Sequence, residues 1–76
     1  MYATTRMIRL FLNVTSVNKT KAWVDFDTVT GFEEMTNEEG EFLHTSLWLG
    51  EEEILVKETG AEIMSRMDKL LKDQNE

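Results

Sequence analysis

The sequence has no cysteine and no proline, and only 4 of its 76 residues are glycine. Without cysteine the chain can form neither a disulfide nor a cysteine-ligated zinc site. The scarcity of proline and glycine argues against a disordered linker. No apolar run approaches the ~20 residues of a membrane-spanning helix, and the first residues lack the order of charge, apolar stretch and cleavage site of a signal peptide. We therefore expect one small soluble domain over residues 1–76, located in the cytoplasm and not at a membrane.

The two parts of the chain differ in charge: acids are absent from the first part and bases are few in the second. The net charge is −7, from 15 acidic and 8 basic side chains. Residues 1–24 contain basic side chains and no acid, whereas residues 25–76 contain every acid. The acidic part would repel phosphates, which argues against direct nucleic-acid binding. It suits a basic protein surface or a mimic of nucleic acid, and solubility alone would also explain a net charge of this size.

Apolar periodicity predicts five strands. Alternation over residues 7–17 is typical of a strand, and β-forming residues suggest further strands over 21–24, 29–35, 42–49 and 53–57. Asn18 is expected to provide the left-handed residue of the first turn. Gly31 is expected at a bulge or a close approach, and Gly50–Glu51 fits a two-residue hairpin turn.

The period changes near residue 59. Thr59 and Glu62 have the spacing of a capping box, and a helix is predicted over 60–73. Its apolar stripe should cover one sheet face: Ile63, Met64, Met67, Leu70 and Leu71. The fold class is α+β: a four- to five-stranded antiparallel meander (7–57), or a small curled sheet, packed by one C-terminal helix, with residues 1–6 as an N-terminal extension.

The sequence offers little catalytic chemistry. His44 is the only histidine, and Ser46 lies two residues away without an orienting acid, which is weak evidence for nucleophilic catalysis. Asp25 and Asp27 fit a turn better than a metal site, because the twelve-residue pattern of a calcium loop is absent. We expect no enzyme activity, no metal and no cofactor.

Aromatic and acidic side chains are the candidate binding residues. If the helix covers one face of the sheet, the other face exposes an apolar patch that curling of the sheet, a second subunit or a partner must cover: Phe11, Trp23, Phe42 and Trp48. Acidic clusters are candidates for contact with a basic partner: Glu38, Glu39, Glu41, Glu51, Glu52 and Glu53. The first hairpin offers a possible anion site: Arg9, Lys19 and Lys21, with Arg6 nearby.

Three segments carry a resemblance to a known family: Ala22–Glu33, Leu47–Gly50 and Ile54–Thr59. Together with Met7-Ile8 and Glu62, they resemble the FlbD-like family of small flagellar and swarming-motility proteins and related small phage proteins. Asp25 replaces the asparagine usual in that family. The resemblance implies a small β-rich domain with a helix cap and implies no catalytic residue.

Three functions stay open from the sequence. The first is a phage-encoded regulator or inhibitor that binds a host protein, for example a defence or nucleic-acid-binding protein, in the bacterial cytoplasm. The second is a flagellar or motility accessory protein. The third is a small-ligand sponge, for example for a nucleotide, formed at an oligomer interface. We expect a protein partner and a homo-oligomer in the first case.

Overall fold

The computed structural model describes residues 9–74, so the expected extension over 1–6 and the start of the first strand lie outside the described residues. The fold is α+β, with antiparallel strands and one C-terminal helix. The elements follow in the order β1 (Phe11–Thr15), β2 (Lys21–Asp25), a 3-10 turn (Phe26–Thr28), β3 (Gly31–Thr36), β4 (Phe42–Leu49), β5 (Glu52–Val56) and α1 (Gly60–Gln74).

The five strands do not form one meander, which corrects the expected sheet. β1 pairs with β2 in one antiparallel sheet, and β3, β4 and β5 form a second. The chain turns away after β2 because Asp25 accepts a hydrogen bond from Asp27 N at 3.0 Å and its carbonyl accepts one from Thr28 Oγ1 at 2.7 Å. A bridge between Ser16 and Val56 joins the two sheets. The strands therefore follow the order β2, β1, β5, β4, β3.

The core lies on the inner faces of both sheets, under α1. Its buried members are Leu12, Val14, Val24, Leu47, Val56 and Ile63. Burying such aliphatic side chains contributes about 1.5–3 kcal/mol each. Because alternate residues of a strand point to opposite faces, residues 11, 13 and 15 of β1 lie on the outer side of this core.

The predicted helical stripe is correct only in part. Ile63 is buried, and Met67 and Leu70 pack against the core. Met64 and Leu71 were expected in the same stripe, but they are 62% and 42% exposed. Each of these two residues lies one position, or about 100° of helix rotation, beyond a packed neighbour. The curled inner surface is too narrow to contact both sides of the helix.

The Glu58 side chain hydrogen-bonds to the edge of β1 at the point where β5 ends. Two backbone bonds connect the edges, from Val17 N to the Leu55 carbonyl at 3.0 Å and from Lys57 N to the Thr15 carbonyl at 2.8 Å. Beyond them Glu58 Oε1 accepts from Thr15 N at 2.9 Å. Unpaired groups at a strand edge are costly when buried, and this carboxylate satisfies one of them.

Arg66 continues the same edge from the helix. Its Nη1 donates to the Asn13 carbonyl at 2.8 Å and to Glu58 Oε2 at 2.9 Å. Thr45 Oγ1 donates to the Glu58 carbonyl at 2.6 Å, which adds β4 to the network. Burial raises the pKa of the Glu58 carboxyl, but the hydrogen bonds from Thr15 and Arg66 outweigh it and hold the pKa below its usual value.

The start of α1 confirms the capping box. Glu62 N donates to Thr59 Oγ1 at 3.2 Å, and Thr59 N donates to Glu62 Oε1 at 2.8 Å. The sequence did not reveal a third contact, in which Gly60 N donates to Glu34 Oε2 at 2.5 Å. A carboxylate at a helix N-terminus accepts from the free amides and interacts favourably with the helix dipole. The Glu34 side chain therefore connects β3 to the start of the helix.

The glycine and turn predictions have mixed outcomes. Gly50 has φ +69° and, with Glu51, joins Leu49 to Glu52 in the predicted two-residue turn. Gly31 pairs in regular register with Trp48, and the irregularity lies between Met35 and Thr36 instead. A side chain at Gly31 would contact nothing within 4 Å, so neither a bulge nor a close approach explains this glycine.

Lys19, and not Asn18, has the left-handed backbone of the first turn, with φ +70°. Lys19 N donates to the Ser16 carbonyl at 2.7 Å, and Ser16 N donates to the Thr20 carbonyl at 2.8 Å. These bonds define a three-residue hairpin loop whose last residue is left-handed, a position that favours glycine.

We expect Lys19→Gly to raise the free energy of unfolding by about 0.5 kcal/mol. The change removes a left-handed cost of about 1–2 kcal/mol and adds unfolded-state freedom worth about 0.5–1 kcal/mol. Urea denaturation measures the difference. Asn18→Gly is the matched control and should destabilise, and a gain in that variant instead would show that the turn has another conformation.

We expect Glu58→Gln to lower the free energy of unfolding at pH 7 by about 1–2 kcal/mol, since it weakens charged hydrogen bonds. The lowered pKa of Glu58 means that its stabilising effect is complete above the ordinary glutamate pKa, 4.5. The effect is lost as the pH falls through the folded-state value. Urea denaturation at a series of pH values should show a flatter acid limb for the variant.

Glu39→Gln is the control for that series, because Glu39 is exposed at the surface. Its acid limb should follow that of the unmodified protein. Equal slopes for Glu58→Gln and the unmodified protein would show that Glu58 does not supply the acid sensitivity.

Candidate protein-interaction surface

The outer face of β3, β4 and β5 brings together apolar and acidic side chains. The register pairs Trp48 with Gly31 and Glu53, and Ser46 with Glu33 and Leu55. Paired residues of adjacent strands share a face. We define the acidic sheet face as Glu33, Met35, His44, Ser46, Trp48, Glu53 and Leu55.

Three large apolar side chains on this face reach solvent. Trp48 and Leu55 are each 37% exposed, and Met35 is 38% exposed. Val17 lies beside them across the junction of the sheets, because its amide donates to the Leu55 carbonyl at 3.0 Å, and it is 40% exposed. Large apolar side chains exposed on one sheet face are typical of an interaction site.

Residues 31–56, which form this sheet and its turns, carry negative charge only, and the exposed Lys57 follows directly after β5. Residues 31–56 include carboxylates at positions 33, 34, 38, 39, 41, 51, 52 and 53, and neither lysine nor arginine. Glu33 and Glu53 lie on the face itself and are exposed. Carboxylates around an apolar centre would steer a cationic surface toward it.

The six predicted acidic residues do not form one surface. Glu38, Glu39 and Glu41 belong to the loop between β3 and β4, and the run from Glu51 to Glu53 belongs to the hairpin at the other end of β4. The eight residues of β4 separate the two groups by roughly 25 Å. Among the six, Glu53 is the residue that shares the acidic sheet face with Trp48.

Glu39 and Glu41 are also used in the local structure of their loop. Asn37 Oδ1 accepts from the amides of both residues at 2.9 Å, and Asn37 Nδ2 donates to Glu41 Oε1 at 2.8 Å. Gly40 follows with φ +83°. This asparagine-centred turn uses the side chain of Glu41, whereas Glu39 contributes its backbone amide.

The four predicted aromatic residues lie outside the core, two on each sheet. Phe42 and Trp48 are 39% and 37% exposed near opposite ends of β4. Phe11 and Trp23 are 49% and 61% exposed on the β1–β2 pair, where the register makes them diagonal neighbours. Curling of the sheets does not hide these rings within the described residues.

Lys21 lies on the same outer face as Phe11 and Trp23, since the three alternate with the buried positions of their strands. Lys19 is the last residue of the turn at that end of the hairpin. We define the basic hairpin face as Phe11, Trp23 and Lys21, with Lys19 at its edge.

The three candidate anion ligands do not cluster. Arg9 lies at the open end of the hairpin, where its Nε donates to Asp25 Oδ2 at 2.9 Å and its Nη2 also contacts that oxygen. Lys19 and Lys21 lie at the turn end. The length of the strands separates them from Arg9, so the expected anion site is not assembled in the described residues.

The structure places His44 and Ser46 in β4 and Asp25 at the end of β2. His44 is half-buried opposite Met35, and Ser46 is 3% exposed. Asp25 caps the 3-10 turn, as expected for a turn residue. Across residues 9–74, His, Asp and Glu side chains form no group suited to a metal ion. Within the same range no helix has the length and apolar character needed to cross a bilayer.

Shallow grooves border the helix. One has a volume of about 210 Å³ and lies between Phe11 and the Arg66–Leu70 turn. Asn13 lines it, and the buried Asn13 Oδ1 has no hydrogen-bond partner among residues 9–74. Another, of about 560 Å³, follows Ala61, Met64 and Leu71 on the outer side of α1.

Sequence reasoning missed Met35, Leu55 and Glu33 as surface residues. Each lies in a strand whose residues point alternately inward and outward, and the strand sequence alone does not say which set points outward. The available signal was the pairing of the strands: once β4 is placed between β3 and β5, residues opposite Ser46 and Trp48 must share their face.

No protein family, no curated protein and no solved structure matches this chain. The likeness to FlbD-like proteins therefore stays a prediction from the sequence.

We expect the two tryptophans to differ in their response to charged quenchers. Trp48 lies beside Glu53, and Trp23 shares its face with Lys21. The ratio of caesium to iodide quenching constants should be higher in Trp23→Phe, which retains Trp48, than in Trp48→Phe, which retains Trp23. The reason is that ions concentrate near opposite charge.

Acrylamide, which is uncharged, serves as the control for exposure in both variants. Equal caesium-to-iodide ratios at the two tryptophans would contradict the assignment of opposite local charge.

Proposed function

We propose that this protein is a non-enzymatic interaction module that binds a basic protein partner through the acidic sheet face. The observation that carries the proposal is the exposed apolar group of Trp48, Met35 and Leu55. It lies on a sheet whose strands and connecting turns, residues 31–56, include eight carboxylates and no lysine or arginine.

The physical reasoning divides affinity between two kinds of contact. Tryptophan at the centre of an interface is a frequent source of binding energy, so Trp48 would supply most of the affinity. Glu33 and Glu53 would accelerate association and reject acidic surfaces. The matching partner presents an apolar anchor flanked by lysine or arginine.

Two biological settings accommodate such a module. The resemblance suggests either a phage-encoded regulator of a host protein or a motility accessory protein, and the identity of the basic partner would distinguish them. The ligand-sponge alternative loses support because Arg9 lies at the far end of the hairpin from Lys19 and Lys21.

The test is capture of a partner from bacterial lysate, followed by titration calorimetry with that purified partner. We expect Trp48→Ser and Glu53→Lys each to weaken binding at least tenfold, a loss of about 1.4 kcal/mol. Glu39→Lys makes the same charge change at the other end of β4 and should retain affinity.

Circular dichroism must show an unchanged fold for each variant. Loss of binding in Glu39→Lys equal to that in Glu53→Lys would indicate a nonspecific charge effect. Full affinity in both Trp48→Ser and Glu53→Lys would refute the acidic sheet face as the binding site.

A further inference from the structure

We propose that the acidic sheet face also binds a second copy of this chain, which docks through its basic hairpin face in a head-to-tail contact. This inference rests on the proposed function, because it assigns a competing occupant to the same surface. Self-assembly would then regulate access of the partner.

The two faces are opposite in charge. The hairpin, residues 9–25, contains Arg9, Lys19 and Lys21 and one acid, Asp25, whereas residues 31–56 contain carboxylates and no lysine or arginine. Arg9 is already paired with Asp25. The cations that a second copy would meet are therefore Lys21, on the face, and Lys19, at its edge.

The two faces also match in apolar character. Trp23 is 61% exposed and Phe11 is 49% exposed. Their diagonal placement across β1 and β2 forms a short aromatic ridge. On the other face, Trp48 stands opposite Gly31, which has no side chain to cover the ring. Burying aromatic area on both sides supplies affinity that the exposed charges alone would not.

The geometry favours a head-to-tail contact over a symmetric one. Two acidic sheet faces placed together would oppose Glu33 and Glu53 to their own copies, and like charges across an interface are unfavourable. A contact between unlike faces leaves one free face at each end of the pair, so it can continue into a ring or an open chain. The two faces lie on different sheets, which meet at the bridge between Ser16 and Val56.

Occupation of the acidic sheet face by a hairpin excludes the partner from that face. Partner binding and assembly are then linked, so the partner should dissolve assemblies and high protein concentration should weaken apparent partner affinity. A partner with lysine beside an aromatic residue would reproduce the chemistry of the hairpin face.

Sedimentation velocity over a concentration series tests the assembly. We expect the unmodified chain to increase in mass with concentration. Lys21→Glu and Glu53→Lys should each weaken association at least tenfold, and the double variant should regain it, because the charges are exchanged across the contact. Lys72→Glu, on the helix outside both faces, is the charge control and should assemble normally.

A mixture of Trp23→Ser and Trp48→Ser tests the head-to-tail arrangement. Each variant alone should stay monomeric, since one of its two faces is defective. Together they should form species of two chains and no larger ones, because one intact hairpin face meets one intact sheet face. A monomer at every concentration, or a dimer insensitive to Lys21→Glu, would overturn the inference.

Trp23→Ser separates this inference from the proposed function. It retains the acidic sheet face and should bind the basic partner at least as tightly as the unmodified chain. A monomeric unmodified chain that still binds the partner overturns self-assembly alone. Assembly with the expected variant pattern but without partner binding overturns the proposed function alone.

Discussion

The carboxylate of Glu58 is the contact on which the arrangement of the other elements depends. Glu58 follows β5, and its carboxylate accepts hydrogen bonds from Thr15 of β1 and from Arg66 of α1. Its backbone carbonyl accepts one from Thr45 of β4. The residue is 6% exposed. A carboxylate buried to this extent is stable only when its partners are present, so the strands and helix are held in one relative position. Arg66 also donates to the carbonyl of Asn13, which joins the helix to β1.

The curled arrangement has a direct consequence for the surface. One helix and two small sheets enclose a core of six buried aliphatic side chains. No second helix covers the outer faces within residues 9–74, so Trp23 and Trp48 stay exposed on different sheets. The sequence concentrates positive charge in the first hairpin and negative charge in the second sheet. The fold therefore presents two aromatic surfaces of opposite sign, which is the basis of both proposals.

Much of the candidate site was visible in the sequence as residue types, and less as positions. Alternation correctly indicated that Phe11, Trp23, Phe42 and Trp48 point away from the core, because that pattern is local to each strand. The acidic clusters were identified too, but their grouping was not. Strand pairing places Glu53 on the same face as Trp48, while Glu39 lies a full strand length away. Arg9 likewise lies at the opposite end of the hairpin from Lys19 and Lys21. Closeness along the chain does not give closeness across a sheet.

The sequence by itself determined the features that depend on neighbours within a few residues. These are the strand and helix segments, the Gly50–Glu51 turn, the capping box of Thr59 and Glu62, and the division of charge. Tertiary structure decided the order of the strands, the contact of Glu34 with the helix, and the exposure of Met64 and Leu71. It also assigned the left-handed residue to Lys19. The physical reason is range: local bonds and periodicity act within one turn or strand, whereas edge pairing, helix placement and burial depend on contacts between residues distant in the chain.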